Sequence, residues 1–444
     1  MGKTRFLIAL CSAMLCVYGV CAQDAAALQG GKTVKLNLQQ MFSLADEQNS
    51  SIKAHSTALL EAQEGVKAAK SAWLPDIDVS ISASYNGDGT VWNRDFTDIM
   101  SADIPDFGSS FAVEVAQVLY TGGAIKHGVE MSALAEKMAQ LDYKHNREEV
   151  RFLIVGNYIE LCKIGNHLQV LESHIGQTLQ VLEQMKVRVN QGTALQNDLT
   201  RMELLLQNLQ FNKIKLSNAR EIVNAQLNTA LGLEEGTVIE VSPLEISSLQ
   251  EQEAEYWRNS ALNSSYGIQM AQAATQMSGH KLKITQSERL PKVALYATNN
   301  LNGPITFEIP VLDKNFNYWG FGVGLKYNLG NLYKSGKKIR QGKLAVTRAA
   351  QEEKVAQEGI LLGVEAAEIS YREAYDLLAT RQKGVELALK NYDLVNYRYR
   401  NGLALITDLL DASSQKLDAQ LQEVNARMNI VYNYYKLQYI SGIL

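Results

Sequence analysis

The sequence predicts a mainly α-helical chain with a membrane β-barrel segment: long coiled-coil helical hairpins in two tandem repeats, and four β-strands per protomer contributing to a shared barrel. Three observations carry this expectation. The chain resembles itself at a spacing of about 210 residues, a period to be sought before any local reading. Two long stretches, Asp106 to Ser242 and Val311 to Leu444, contain none of its six prolines, so both lack the strongest helix breaker. Four short runs alternate apolar and polar side chains over about ten residues each, the length of a tilted membrane strand.

At the start of the chain, Lys3 and Arg5 precede an apolar run from Phe6 to Val20 and the small-residue step Val20-Cys21-Ala22. That order reads as an export signal over residues 1–22. Tyr18-Gly19-Val20 before Cys21 lacks the small residues that precede a lipidated cysteine. Removing the signal takes away two cations, which moves the formal charge from -4 to -6. It also leaves Cys162 as the mature chain's cysteine, so no internal disulfide is expected. Basic and acidic residues are interspersed without a basic stripe, which argues against a nucleic-acid partner.

Three marks define the repeat. Ser71-Ala72-Trp73-Leu74-Pro75 recurs as Ser287-Glu288-Arg289-Leu290-Pro291, Phe111-Ala112-Val113 as Phe321-Gly322-Val323, and the segment from Arg188 to Leu199 as Arg398 to Leu409. The expected organisation is therefore a first structural repeat over 23–231, an inter-repeat linker over 232–260 and a second repeat over 261–444.

Pro75 and Pro291 mark the strand starts. After Pro75, Ile77, Val79, Ile81, Ala83 and Tyr85 alternate with Asp78, Ser80, Ser82, Ser84 and Asn86. Phe111, Val113, Val115 and Leu119 form a second alternating run, Val293 to Asn299 a weaker one, and Phe321, Val323, Leu325, Tyr327 and Leu329 a fourth. Polar, aromatic, proline-containing connections, Asn86 to Gly108 and Asn300 to Tyr318, read as outer loops. Helices are expected over Leu38–Ala72, Ala124–Arg188, Ala194–Leu231, Ala261–Ser287, Tyr333–Arg400 and Ala404–Ile440. Apolar residues at Ile164, Leu168, Leu171, Ile175, Leu182, Met185 and Val189 follow the 3-4 spacing of a coiled-coil seam. The first long helix, about 65 residues at 1.5 Å each, would reach about 100 Å. Gly192 and Gly402 stand where C-terminal cap glycines end a helix and so mark two equivalent hairpin tips.

Four membrane strands leave open sheet edges, whose unsatisfied polar groups cost several kcal/mol each in lipid. Subunits must share a barrel, and three would supply twelve strands and a lumen, whereas the interior of eight fills with side chains.

The order of strand pair, long helix, glycine tip and return helix, repeated twice, resembles the outer membrane efflux protein (TolC-like) family over nearly the whole mature chain. Tyr399-Arg400-Asn401-Gly402 with Ile406-Thr407-Asp408-Leu409-Leu410-Asp411-Ala412 is similar to that family's periplasmic entrance motif. The resemblance implies a homotrimer with a twelve-stranded barrel in the outer membrane of a Gram-negative bacterium. It implies outer-membrane lipid, a periplasmic adaptor (membrane fusion) protein and an inner-membrane pump such as a resistance-nodulation-division transporter as partners, with substrates passing through. It makes Asp408 and Asp411 an acidic pair at the entrance gate, Tyr399 a constricting tyrosine, Asp198 an acidic position of the first half, and Gly192 and Gly402 the tips for adaptor docking. Where some members carry a basic latch residue two positions after the tip glycine, this chain has Ala404, with Arg398 and Arg400 across the turn. The implied function is a passive exit duct for small molecules such as drugs and toxic compounds. A protein secretion duct of type I shares the fold, and a non-conducting periplasmic coiled-coil adaptor would carry one hairpin rather than two.

No catalytic or cofactor constellation accompanies this pattern. The six histidines include no pair three or four residues apart, and His167 and His174 lie about two turns, or 10.5 Å, apart. All six are therefore assigned to packing or surface roles, with no metal expected. Gly320-Phe321-Gly322-Val323-Gly324 lies within an alternating run rather than at a phosphate-binding turn, and reads as small lumen-facing positions. Cys162 lacks a local base or electropositive setting and reads as helix packing.

Overall fold

A computed structural model describes residues 32–242, 246–249 and 252–444; the expected export signal over 1–22 lies outside them. The first half runs β1 (Thr33–Leu36), α1 (Leu38–Gln48), α2 (Ser50–Ser71), β2 (Asp76–Tyr85), β3 (Gly89–Val91), β4 (Met100–Ala102), β5 (Phe107–Tyr120), α3 (Ala124–Asn190) and α4 (Gln196–Leu231). After β6 (Val238–Val241) and a 3-10 turn, the second half runs α5 (Ala254–Ser264), α6 (Tyr266–Ser287), β7 (Lys292–Gly303), β8 (Phe316–Lys326), α7 (Gly330–Arg400) and α8 (Ile406–Ser441). The two longest helices have 67 and 71 residues, as the missing prolines predict.

The expected helices Leu38–Ala72 and Ala261–Ser287 are each interrupted, at Asn49 and Ser265, the second also beginning earlier, at Ala254. Asn49 turns extended, and its side-chain oxygen accepts from the N–H groups of Ser51 (2.9 Å) and Ile52 (3.2 Å), capping α2. Its amide donates to the Ala230 carbonyl at 2.8 Å, which ties the break to the end of α4. Asparagine offers the backbone such a local alternative to a continuing helix, a signal that apolar periodicity does not register. The pairing of β1 with β6 in parallel and the small β3–β4 hairpin inside the first outer loop were likewise outside the periodic pattern.

Two compact units share the chain. One contains residues up to Lys53, Arg147–Trp257 and Val364–Leu444, hence the distal parts of α3 and α7 with α4 and α8. Ile154, Tyr158, Trp257, Ile430 and Leu437 are fully buried in its core, and the Trp257 and Tyr434 rings meet edge to face at 6.0 Å.

The other unit, Ala54–Asn146 with Arg258–Gly363, contains an antiparallel sheet in the order β2-β5-β7-β8. The strand pairs of the two halves therefore join through β5 and β7. Register places Ile77, Val79 and Ile81 opposite Val115, Val113 and Phe111, and Val293, Leu295 and Ala297 opposite Leu325, Val323 and Phe321. The resulting apolar face is exposed, with Ile81 at 78% and Phe321 at 79%. The reverse face carries Asp78, Ser80, Ser82, Glu114, Thr298 and Asn300. One refinement to the expected alternation appears at the end of β5, where a bulge between Val118 and Tyr120 sets Tyr120, rather than Leu119, opposite Val293. Gly322, opposite Tyr296, leaves room for that ring, because an added Cβ would lie 2.7 Å from the tyrosine hydroxyl.

Candidate functional site

Both hairpin tips are built by the same local chemistry. Gly192 and Gly402 adopt φ of 70° and 72°, the left-handed conformation open to glycine. At each, the glycine N–H reaches back to a carbonyl three residues earlier (Val189 at 2.9 Å, Tyr399 at 3.0 Å), and the following residue bonds five residues back (Thr193 to Arg188, Leu403 to Arg398, both 2.8 Å). This double bond pattern ends α3 and α7 by satisfying their last carbonyls. Leu195 and Leu405 then occupy the positions before α4 and α8.

Behind the tips the four helices share one apolar core, in which Leu182 and Met185 of α3, Leu199 and Met202 of α4, Tyr392 of α7, and Ile406 and Leu409 of α8 are buried together. Tyr399 packs against it half-buried, its hydroxyl donating to Met185 Sδ at 3.5 Å and its ring lying 5.6 Å beneath the Arg188 guanidinium. Burial pushes the phenol above its ordinary pKa, nearby Arg188 opposes that shift, and the Asp198 carboxylate adds to it. The structure thus brings Tyr399, Asp198 and Arg188 together between the two hairpins. Arg188, a cation four residues before the turn glycine on one hairpin, mirrors Arg398 on the other, a signal that the apolar period does not carry.

Asp408 and Asp411 sit elsewhere, on the exposed side of α8. The Asp408 carboxylate accepts from the Leu405 N–H at 3.0 Å, an unfilled donor of the helix start. Asp411, one turn further, accepts from the Gln415 amide at 2.8 Å. Among the described residues neither joins Arg398 or Arg400 in an ion pair. Lys416, a turn beyond Asp411, is buried with its ammonium 4.3 Å from the Tyr392 ring centre and donating to Gln177 Oε1 at 3.0 Å; burial lowers its pKa. Leu195, Leu403 and Leu405 expose about two-thirds of their surface at the tips, an apolar feature that core-seeking periodicity passes over. Pro75 and Pro291 immediately precede β2 and β7.

The histidines divide by environment. His167 and His174 are buried in α3, bonded to the Leu421 carbonyl (3.3 Å) and the Gln420 side chain (2.8 Å) of α8, and burial lowers the pKa of both. His55 pairs with Asp142 at 2.7 Å. His127 and His280, from different halves, meet at Glu130. Cys162 is buried, its Sγ 3.8 Å from the Ser242 carbonyl.

The model of the outer membrane efflux protein family matches residues 41–233 and 257–442, two intervals that each take in one strand pair and one hairpin. The chain belongs to the outer membrane efflux protein family. It is similar to the outer membrane protein TolC of Vibrio cholerae, at 22% identity over 92% of this chain and 91% of that one. In fold it matches the outer membrane protein VceC of Vibrio cholerae (TM-score 0.77, 15% identity, 91% and 96% of the two chains). It also matches the open-state MtrE outer membrane channel of Neisseria gonorrhoeae (TM-score 0.72, 14% identity, 91% and 88%). As an outer membrane efflux protein it is a transport component rather than an enzyme, located in the outer membrane with a large periplasmic portion. No helix among the described residues is long and apolar enough to cross a membrane.

Proposed function

We propose that the chain is one subunit of a homotrimeric exit duct that passes small molecules, drugs and other toxic compounds among them, from an inner-membrane pump to the exterior. The sheet β2-β5-β7-β8 carries this reading. Its two outer strands, β2 and β8, pair on one side each, and an open edge is not tolerated in lipid. Because neighbours alternate in direction, β8 of one copy meets β2 of the next antiparallel. Three copies close twelve strands around a lumen lined by the serine, aspartate and asparagine face, with Ile77, Val79, Ile81, Phe321 and Val323 toward lipid.

In the other unit the tips supply the gate and the docking surface. Tyr399 and Asp198 lie between the hairpins and take the constricting positions, while Asp408 and Asp411 present their carboxylates from α8. Leu195, Leu403 and Leu405 beside Gly192 and Gly402 offer apolar contacts to a periplasmic adaptor (membrane fusion) protein, with a resistance-nodulation-division transporter as the pump behind it. Deleting the encoding gene tests the duct and its cargo together. Cells lacking the chain should retain an amphiphilic fluorescent dye and lose resistance to it, with protein secretion unchanged. Loss of an exported protein with normal dye efflux would move the chain to a type I secretion system instead, and no change in either would overturn the duct.

A further inference from the structure

Within the unit that carries the sheet, α3 leaves β5 through Gly122 and Gly123 and presents His127 in its first turn and Glu130 one turn later, on the same face. From the second half, α6 brings His280 to the same point, two turns before its end at Ser287 and the lead-in to β7. Glu130 Oε2 lies 2.7 Å from His127 Nδ1 and 2.8 Å from His280 Nδ1, and the two Nδ1 atoms are 3.2 Å apart. One donor atom from each residue therefore faces a common centre, and all lie within 4.8 Å of one another.

These separations approach those of a metal's coordination shell. Ligands held tetrahedrally at about 2.0–2.1 Å stand about 3.3 Å from each other, so each contact needs to open by about 0.6 Å or less. All three side chains are partly buried, with side-chain exposures of 19%, 36% and 22%, which holds the donors in place while leaving solvent access. Two imidazoles with one carboxylate suit zinc and its borderline neighbours, whereas magnesium and calcium select oxygen donors. The donors sit on two helices of 67 and 22 residues rather than on loops, so their spacing is set by the backbone.

We propose that His127, Glu130 and His280 form a binding site for one zinc ion per chain, which fastens the helix leaving β5 to the helix entering β7. The ion joins the two halves of the repeat at residues 153 positions apart. Copper(II) or nickel(II) fits the same donors, and competition measures the preference.

The test uses the untagged full-length protein in detergent, stripped with a chelator and titrated calorimetrically with zinc chloride alone. Binding should saturate at one zinc per chain, survive millimolar magnesium and raise the thermal midpoint of the assembled protein. X-ray absorption should show two imidazole nitrogens at about 2.0–2.1 Å. His280→Gln and, independently, Glu130→Gln should each weaken binding by tenfold or more while the metal-free protein keeps its oligomer and its midpoint. Should His280→Gln fail to assemble, Glu130→Gln carries the same comparison. The site is refuted if zinc up to 100 µM does not bind, or if its affinity is unchanged by both substitutions.

Discussion

Replacing Ile81 with arginine puts a cation in the middle of the apolar sheet face. The strand β2 has ten residues. At about 3.3 Å per residue and a tilt of about 40° it covers roughly 25 Å along the membrane normal, the height of a barrel's apolar band. Ile81 is the sixth of those residues, within about 2 Å of the midplane, and it faces outward with its partner Phe111. An arginine there costs roughly 2–4 kcal/mol, and the lost cross-strand contact adds about 0.2–1 kcal/mol. In the proposed three-chain barrel the total is roughly 7–15 kcal/mol, several orders of magnitude in the folded population. Ser80→Arg is the control, since Ser80 faces the other way, opposite Ala112, which is itself paired with Asn300. It should stay within about 0.5 kcal/mol of the parent. Urea unfolding in lipid vesicles and the temperature at which the oligomer dissociates on a gel read both variants. Equal effects of Ile81→Arg and Ser80→Arg would show that the two faces are not lipid and lumen.

Other outcomes follow from the tips and the helical core. Gly402→Ala should lower stability by about 1–2 kcal/mol through its positive φ alone, because no heavy atom lies within 4 Å of an added Cβ; an unchanged thermal midpoint would mean that the tip adopts another conformation. Burial holds the folded pKa of His167 and His174 below the ordinary 6.5, so on acidification the unfolded chain takes up protons first. Stability to urea should fall as pH drops below about 6.5 and level off beneath the folded pKa, and His167→Gln with His174→Gln should flatten that decline. Asp408→Ala removes a helix-start acceptor and should cost about 0.5–1.5 kcal/mol, whereas Asp411→Ala, on exposed surface, should stay within about 0.5 kcal/mol. Converting both aspartates to asparagine should weaken cation selectivity and block by a trivalent hexammine complex in planar bilayers. Unchanged selectivity and block with an intact oligomer would leave them as helix-start residues.

The sequence by itself determined the long helices, the four long strands and their order, because helices and strands write their periods into neighbouring residues. The apolar seam from Ile164 to Val189, the alternation from Ile77 to Tyr85 and the turn glycines Gly192 and Gly402 each report a local backbone geometry, and the tandem repeat doubled every such signal. Even the sorting of β2 into an apolar and a polar face could be read, since successive side chains of a strand point to opposite faces. Interruptions without a change of apolar period, at Asn49 and Ser265, escaped it, as did the bulge near Leu119 that moves Tyr120 onto the face of Val293. Tertiary structure alone decided which distant residues meet. That β5 pairs with β7, that Tyr399 lies beneath Arg188 near Asp198, and that His280 reaches His127 and Glu130 all depend on how helices and strands from separate halves pack. The i, i+3 spacing of His127 and Glu130 was visible, but its third partner stands 153 residues away in sequence, and no periodic pattern encodes a contact that only packing creates.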